Sequence, residues 1–277
     1  MPGFVLRAAL VCGIGVLPVS TVTAQQKIPD FSEDSTVGWL AASNEYISMQ
    51  TGPHPVQPDP AHPYIQNGFR GRQPTLRVAD LDNPILLPWV KEALARVNER
   101  VLSGAPAFPP QVRCWPLGVP AFLLYTAQPV YIVQRPAEVL LIWQSDQMVR
   151  HIHLTDRHSD HPKPSWFGES IGHYEGGDTL VVDTIGLNTR TFVDNYRTPH
   201  TDKMHVIERY RLTNAETRIE VTVTVEDPGA FTGPWSAKQT YRRIEVGPMQ
   251  ESTCIEGNFN YFNLDLDPLP TAAKADF

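Results

Sequence analysis

Five of the nine histidines of this chain lie between Met148 and Gly177, in company with carboxylates and an arginine. The cluster consists of His151, His153, His158, His161, His173, Asp156, Asp160, Glu169, Glu175 and Arg157. Imidazole exchanges protons near neutral pH, and a neighbouring carboxylate can orient it or balance its charge. A structural scaffold does not need so many titratable groups together. The segment therefore predicts a functional site.

The first hypothesis for this site is acid–base catalysis without a cofactor. We predict that His153 and His161 are the acid–base groups and that Asp156 orients them or balances their charge. His200 is expected to act from a facing loop, because it comes just before a predicted strand and so lies at a barrel mouth. The reaction class would be that of a lyase, isomerase or hydratase acting on a small organic molecule or a glycoside. The plain alternative is a solvated strand face followed by a polar loop.

Two other functions remain open on the sequence. His151 and His153 are two apart on a predicted strand and therefore share a face. With His158 and His161 they could ligate a divalent metal such as zinc, which would make the protein a metal-dependent hydrolase. The His-x-His pattern alone is weakly specific. The other alternative is a non-catalytic binder of a hydrophobic ligand.

Aromatic residues and one further histidine are candidates for ligand contacts inside a cavity. We expect Trp166, Tyr174, His205 and Tyr210 to line it, because aromatic faces pack against flat apolar molecules and sugar rings. The segment 168–172 matches G-x-S-x-G, the pattern of a hydrolase nucleophile. That role requires a preceding strand and a following helix, and no helix is predicted after it. We interpret the segment as a glycine-shaped turn.

The region that must position these residues is predicted to be all-β. Runs of strand-forming residues recur from Val130 onward with short polar connections, which indicates an antiparallel meander. The predicted strands are 139–144, 148–154, 179–185, 204–212, 218–226 and 237–246. Closing such a sheet into a lipocalin-like barrel removes its edges and leaves room for one small ligand. A β-sandwich is the competing architecture.

The domain is predicted to cover 111–265, followed by a tail at 266–277. Before it, 25–110 is rich in proline and reads as an irregular extension with one helix at 84–102. Asp82 or Asn83 is the expected N-cap of that helix, and Gly104 is the expected stop. Val90, Leu94, Val97 and Val101 form its apolar stripe.

The amino terminus is typical of a secretory signal peptide spanning residues 1–24. Arg7 precedes an apolar run at 8–19, which is shorter than the roughly 20 residues that cross a bilayer, and Ala24 ends a small-residue cleavage site. We therefore expect a periplasmic or secreted protein without membrane insertion. Cys114 and Cys254 would then form a disulfide, the alternative being two buried free thiols.

The formal net charge is −7, with no block of basic residues. An acidic chain of this kind argues against nucleic acid or an anionic membrane as a partner. The expected partner is a small-molecule substrate or ligand. The sequence does not determine the oligomeric state.

Three segments carry a resemblance to known proteins. The stretch 166–184 reads W-x-G-x-S-x-G-x-Y-E-G-x-D-T-L-V-V-D-T, and 199–209 and 226–235 extend the pattern. Together they resemble a large family of exported bacterial proteins, over roughly 113–260. The resemblance implies export but no particular activity. The order of strands is also similar to that of lipocalin-like barrels, a fold that carries binders, isomerases, cyclases and hydratases and so does not select a function.

Overall fold

The computed structural model describes Gly3 and residues 28–32, 36–49, 51–64, 77–105, 110, 114–126, 128–145, 148–213, 216–252 and 254. The predicted signal peptide, apart from Gly3, and the predicted tail at 266–277 lie outside the described residues. Within these ranges no helix is long and apolar enough to cross a membrane.

The domain is an all-β barrel, as the sequence predicted. Nine strands close into the barrel in the order β1-β3-β4-β5-β6-β7-β8-β9-β10, because β10 also pairs with β1. The strands are β1 (Val37–Ala41), β2 (Ile47–Ser48), β3 (Val130–Gln134), β4 (Glu138–Trp143), β5 (Val149–His153), β6 (Glu169–Glu175), β7 (Thr179–Ile185), β8 (His205–Thr213), β9 (Arg218–Glu226) and β10 (Trp235–Glu245). The short β2 adds to the other side of β10. All pairs are antiparallel except β5 with β6, which are parallel.

The alternation of apolar and polar residues sets which side chains enter the barrel. In β9 the side chains of Ile219, Val221, Val223 and Val225 are buried, while the residues between them are half-buried outside. Successive side chains of a strand point to opposite faces, so one apolar set fills the interior. β8 follows the same rule with Val206, Glu208, Tyr210 and Leu212 buried, which leaves Glu208 as a charged group inside the barrel.

Four strands (β1, β2, β3 and β6) are not among the predicted ones, and two of them, β1 and β6, change the architecture. β1 belongs to the segment predicted to be irregular, yet it pairs with β10 over 37–41 and with β3 at Val130, and so completes the barrel. β6 begins at Glu169 and so contains 169–172 of the G-x-S-x-G segment that we interpreted as a turn. Gly172 allows β6 to lie close to β5, because a Cβ there would be 2.8 Å from Cγ2 of Ile152. This close packing, rather than a turn, accounts for that glycine.

The predicted helix begins later than expected. α1 spans Pro88–Leu102 and buries Val90, Leu94, Asn98 and Val101. Its N-cap is Leu87 rather than Asp82 or Asn83, and Pro88 occupies the first helical turn, where a missing N–H is harmless. The Asn83 side chain instead accepts a hydrogen bond from the Ile85 amide (3.2 Å). The amide of Leu87 donates to the Ala230 carbonyl (3.0 Å), which docks the start of α1 on the β9–β10 connection.

Cys114 and Cys254 form the predicted disulfide. It joins the segment before β3 to the chain after β10, across a sequence separation of 140 residues. Disulfides of this kind form and persist in oxidising compartments, so the bond is consistent with an exported protein.

Candidate functional site

The histidine-rich segment forms the connection between the two parallel strands. β5 and β6 pair at only two positions, Ile152 with Ser170 and His153 with Ile171. Parallel neighbours cannot be joined by a tight hairpin and need a crossover of a dozen or more residues. Residues 154–168, hereafter the crossover, supply it and place many polar side chains beside a weakly paired seam of the barrel wall.

A cleft of about 470 Å³ opens on the outside of the barrel between the crossover and β5. Its lining residues are Val149, His151, His153, Ser159, His161, Lys163, Ser165, Phe167, Gly168, Glu169 and Ser170. The volume lies within the range of small-molecule sites. Three of the histidines predicted to be functional, His151, His153 and His161, therefore line one cleft.

This cleft is not the barrel cavity that the sequence led us to expect. Along β5, Arg150 and Ile152 point into the barrel and are fully buried, so His151 and His153 point outward and are exposed. Strand alternation forces this choice once one set is inside. The prediction that the two histidines share a face holds, but that face is the outer wall.

Side chains fill the barrel interior. The guanidinium of Arg150 donates to both carboxylate oxygens of Glu208, at 3.1 Å from Nη1 to Oε1, and to the hydroxyls of Ser170 and Thr184. The Tyr210 hydroxyl donates to Glu208 Oε1 (3.0 Å). Among the apolar residues beside this network, the gap has a volume of only about 10 Å³, less than a small-molecule ligand needs.

The acidic side chains at the cleft already have partners. Glu138 accepts a hydrogen bond from Nδ1 of His151 (3.0 Å), and this contact lowers the pKa of Glu138. Glu169 accepts from the amide and the hydroxyl of Ser159 (2.6 Å each), and its Oε1 lies 3.1 Å from Nδ1 of His158. The Ser159 hydroxyl is the largest influence that lowers the pKa of Glu169. Both carboxylates are therefore held in the ionised form.

Three basic side chains at the cleft, unlike these carboxylates, have no polar partner among the described residues. Within the described part of the chain, His153, His161 and Lys163 have no hydrogen bond or ion pair to a protein group. The only ring neighbour of His153 there is His151, with the ring centroids 6.3 Å apart. Their polar atoms are thus available to a ligand.

Two of the four predicted catalytic residues lie outside the cleft. Asp156 is exposed and is not among the lining residues, so no contact supports its predicted role of orienting His153 or His161. His200 is buried, with Nε2 2.9 Å from the Thr191 hydroxyl and Nδ1 2.9 Å from the Thr201 carbonyl. Burial lowers the pKa of His200. These contacts make His200 a structural residue of the β7–β8 connection.

The four residues predicted to bind the ligand are dispersed. Trp166 packs on Trp115 with ring centroids 5.5 Å apart, and Tyr174 accepts a hydrogen bond from Gln134 (2.9 Å). Tyr210 belongs to the buried network around Glu208, and His205 lies on the outer wall beside Asp183 (2.9 Å). Periodicity assigned them to strands and loops, but it did not reveal which parts of the barrel those segments bring together.

His158, which does not line the cleft, belongs to a chain of histidine and carboxylate side chains. Oδ1 of Asp183 lies 2.9 Å from Nε2 of both His158 and His205, and Glu169 faces the other nitrogen of His158. Because both nitrogens of His158 face carboxylates, both contacts are hydrogen bonds only when the ring carries two protons. The chain fastens the crossover to β6 and β7.

The predicted metal set does not come together in this arrangement. His158 is held by Glu169 and Asp183, and His151 directs Nδ1 at Glu138. In the described ranges no three or more His, Cys, Asp or Glu side chains are grouped so that they could hold a metal ion. The residues therefore do not fit a zinc site as they stand.

Ser170 of the G-x-S-x-G segment is not placed as a nucleophile. Its hydroxyl is nearly inaccessible and is shared between Arg150 and Thr184. Gly168 of the same segment has φ +64°, and a Cβ there would lie 2.4 Å from the Ile185 carbonyl oxygen. This glycine thus lets the crossover turn tightly into β6.

Sequence reasoning missed Lys163, Ser159 and Ser165 as lining residues. The sequence does not single these residues out, because a lysine and two serines in a proline-containing loop are typical of any exposed connection. Only the long parallel crossover distinguishes this loop from the hairpins around it.

Compared with known proteins, the chain matches no protein-family model and no curated protein sequence.

Proposed function

We propose that this protein is an exported enzyme that binds a small organic molecule in the cleft between β5 and the crossover and transfers protons to and from it. The observation that carries the proposal is that His153 and His161 line one cleft and that neither side chain forms a hydrogen bond or an ion pair with another described group. One imidazole would act as base and the other as acid, a division typical of lyases, isomerases and hydratases. No cofactor is required.

Export is the second part of the proposal. The residues 1–24 would act as a signal peptide cleaved after Ala24, which would release the protein into the periplasm or the medium. The disulfide between Cys114 and Cys254 supports an oxidising destination. The negative charge of the chain supports a small-molecule partner rather than a nucleic acid.

The test is a turnover screen of the mature protein against small organic acids, hydroxy acids and glycosides, followed by NMR. We expect His153→Ala with His161→Ala to lower the rate of any substrate found by at least about a hundredfold, the usual contribution of acid–base groups. His173→Ala is the matched control, because His173 is exposed on the same strand wall but outside the cleft, beside Glu175.

One contrary outcome ends the proposal, and two others select another function. Full activity in the double variant ends the acid–base proposal. Loss of activity with a chelator and its return with zinc would restore the metal-dependent hydrolase. Ligand binding without turnover of any compound would favour the binder, although its ligand would then occupy the outer cleft, because the barrel interior is filled.

A further inference from the structure

The chemistry of the cleft also indicates what kind of molecule it takes. We infer that its ligand is a small polyanion, carrying carboxylate or phosphate groups, and that Lys163 is its main charged contact. This inference rests on the proposed use of the cleft and goes further by naming the class of ligand.

The first observation is the composition of the cleft walls. Four lining side chains are basic (His151, His153, His161 and Lys163), and one, Glu169, is acidic. Nitrogen groups that can donate hydrogen bonds therefore predominate on the walls, and Lys163 adds a full positive charge. Such donors favour negatively charged oxygens as ligands at that place.

The second observation is how the carboxylates nearby are used. Glu169 is occupied by Ser159 and His158, and Glu138 is occupied by His151 and by Arg135 (3.1 Å). Neither reaches Lys163, which forms no ion pair within the described residues. The cleft therefore has basic groups for which the described residues provide no charged partner.

The third observation is the hydroxyl groups. The Ser165 hydroxyl donates to the Gly168 carbonyl (3.1 Å), and the Ser159 hydroxyl donates to Glu169. Their protons are thus committed within the crossover. The N–H groups of Lys163 and of the imidazole rings remain as the donors toward a ligand. A charge-assisted hydrogen bond from the lysine ammonium favours carboxylate and phosphate oxygens.

Binding measurements with defined probes test the inference without any turnover. Calorimetry would compare glucose 6-phosphate with glucose, which differ by the phosphate, and citrate as a polycarboxylate. We expect both anions to bind and glucose not to bind. Lys163→Met, which keeps the length of the side chain and removes the charge, should weaken anion binding at least about tenfold, the usual effect of losing a charge-assisted hydrogen bond.

Lys203→Met is the matched control, because Lys203 is also exposed but lies outside the cleft, and it should leave the affinity unchanged. Binding of only one anion would restrict the class to phosphates or to carboxylates. Absence of binding for both anions, or equal binding by wild type and Lys163→Met, overturns the inference. If the protein then turns over an uncharged substrate, and the histidine double variant does not, the proposed function stands without the inference. If the protein binds anions but turns over no compound, the inference stands without the proposed function.

Discussion

Residues that looked alike in the sequence perform different tasks in the molecule. In strand β5, neighbouring basic residues lie on opposite faces of the barrel wall. Arg150 is buried inside the barrel, while His151 and His153 are exposed on the outer wall. Arg150 and Glu208 form a fully buried ion pair inside the mostly apolar barrel. Removing two charges from water is costly, and the network of Tyr210, Ser170 and Thr184 compensates by satisfying their remaining hydrogen-bonding groups.

Breaking this pair should destabilise the fold strongly. Glu208→Gln leaves the Arg150 guanidinium without a counter-charge, and we expect the free energy of unfolding in urea to fall by about 3–5 kcal/mol. Arg150→Met with Glu208→Leu should be closer to wild type than Glu208→Gln, because it leaves no buried charge. Glu220→Gln, which breaks only the exposed pair with Arg211, should change stability by about 1 kcal/mol or less. An unaltered unfolding curve for Glu208→Gln would contradict this account.

Among the elements, the crossover differs from every other connection in the barrel. Hairpins join most neighbouring strands, whereas the crossover must return over the outside of the barrel to keep β5 and β6 parallel. The Ser165 amide donates to the Gly186 carbonyl (3.0 Å), and the Ser165 carbonyl accepts from the Asn188 amide (2.9 Å). The contacts of Glu169 with Ser159 and His158 also hold the crossover. The geometry of the cleft therefore depends on the ionised form of Glu169.

This dependence predicts a loosening of the crossover in acid. The pKa of Glu169 is lowered in the folded protein, so its contribution to stability is present above the ordinary glutamate pKa of about 4.3 and is lost as pH falls through the lower, folded value. Hydrogen exchange of the Ser159 amide, corrected for its intrinsic rate, should lose protection over that range. The Val221 amide in β9 reports whether the barrel itself stays folded.

The variant Glu169→Gln should show low protection of the Ser159 amide already at pH 7 and no further response to acid. Glu175→Gln is the control, because Glu175 pairs with Arg209 and His173 on the wall and does not contact the crossover. Equal protection in Glu169→Gln and wild type at pH 7 would mean that the carboxylate does not hold the crossover.

For the whole molecule, the amino-terminal part is integrated with the barrel rather than appended to it. β1 completes the barrel, α1 docks on the β9–β10 connection, and the Tyr46 hydroxyl donates to the Pro120 carbonyl (2.7 Å). The disulfide adds a covalent link between Cys114 and Cys254. Segments far apart in the sequence thus depend on each other.

Removing the disulfide should lower stability without altering the cleft. In the chain-entropy model a loop of this length contributes up to about 5 kcal/mol, because the bond restricts the unfolded chain. Cys114→Ser with Cys254→Ser should therefore lower the Tm clearly, while binding in the cleft at 25 °C stays unchanged. The Tm of the wild type under reducing conditions should approach the Tm of the variant. An identical Tm with and without reductant, with both thiols proven free by alkylation, would exclude the stabilising role.

The sequence alone determined the class of fold, the disulfide and the region of the candidate site. Strand alternation identified most strands, and the density of histidines marked the crossover, because these signals are local and periodic. The tertiary structure alone decided that β1 closes the barrel, that β5 and β6 are parallel, and that His153, His161 and Lys163 line one cleft on the outer wall. Periodicity states that His151 and His153 share a face but not which one. The face depends on which set of side chains the rest of the barrel buries. Here Arg150 is buried because it pairs with Glu208 inside the barrel, so the histidines face outward.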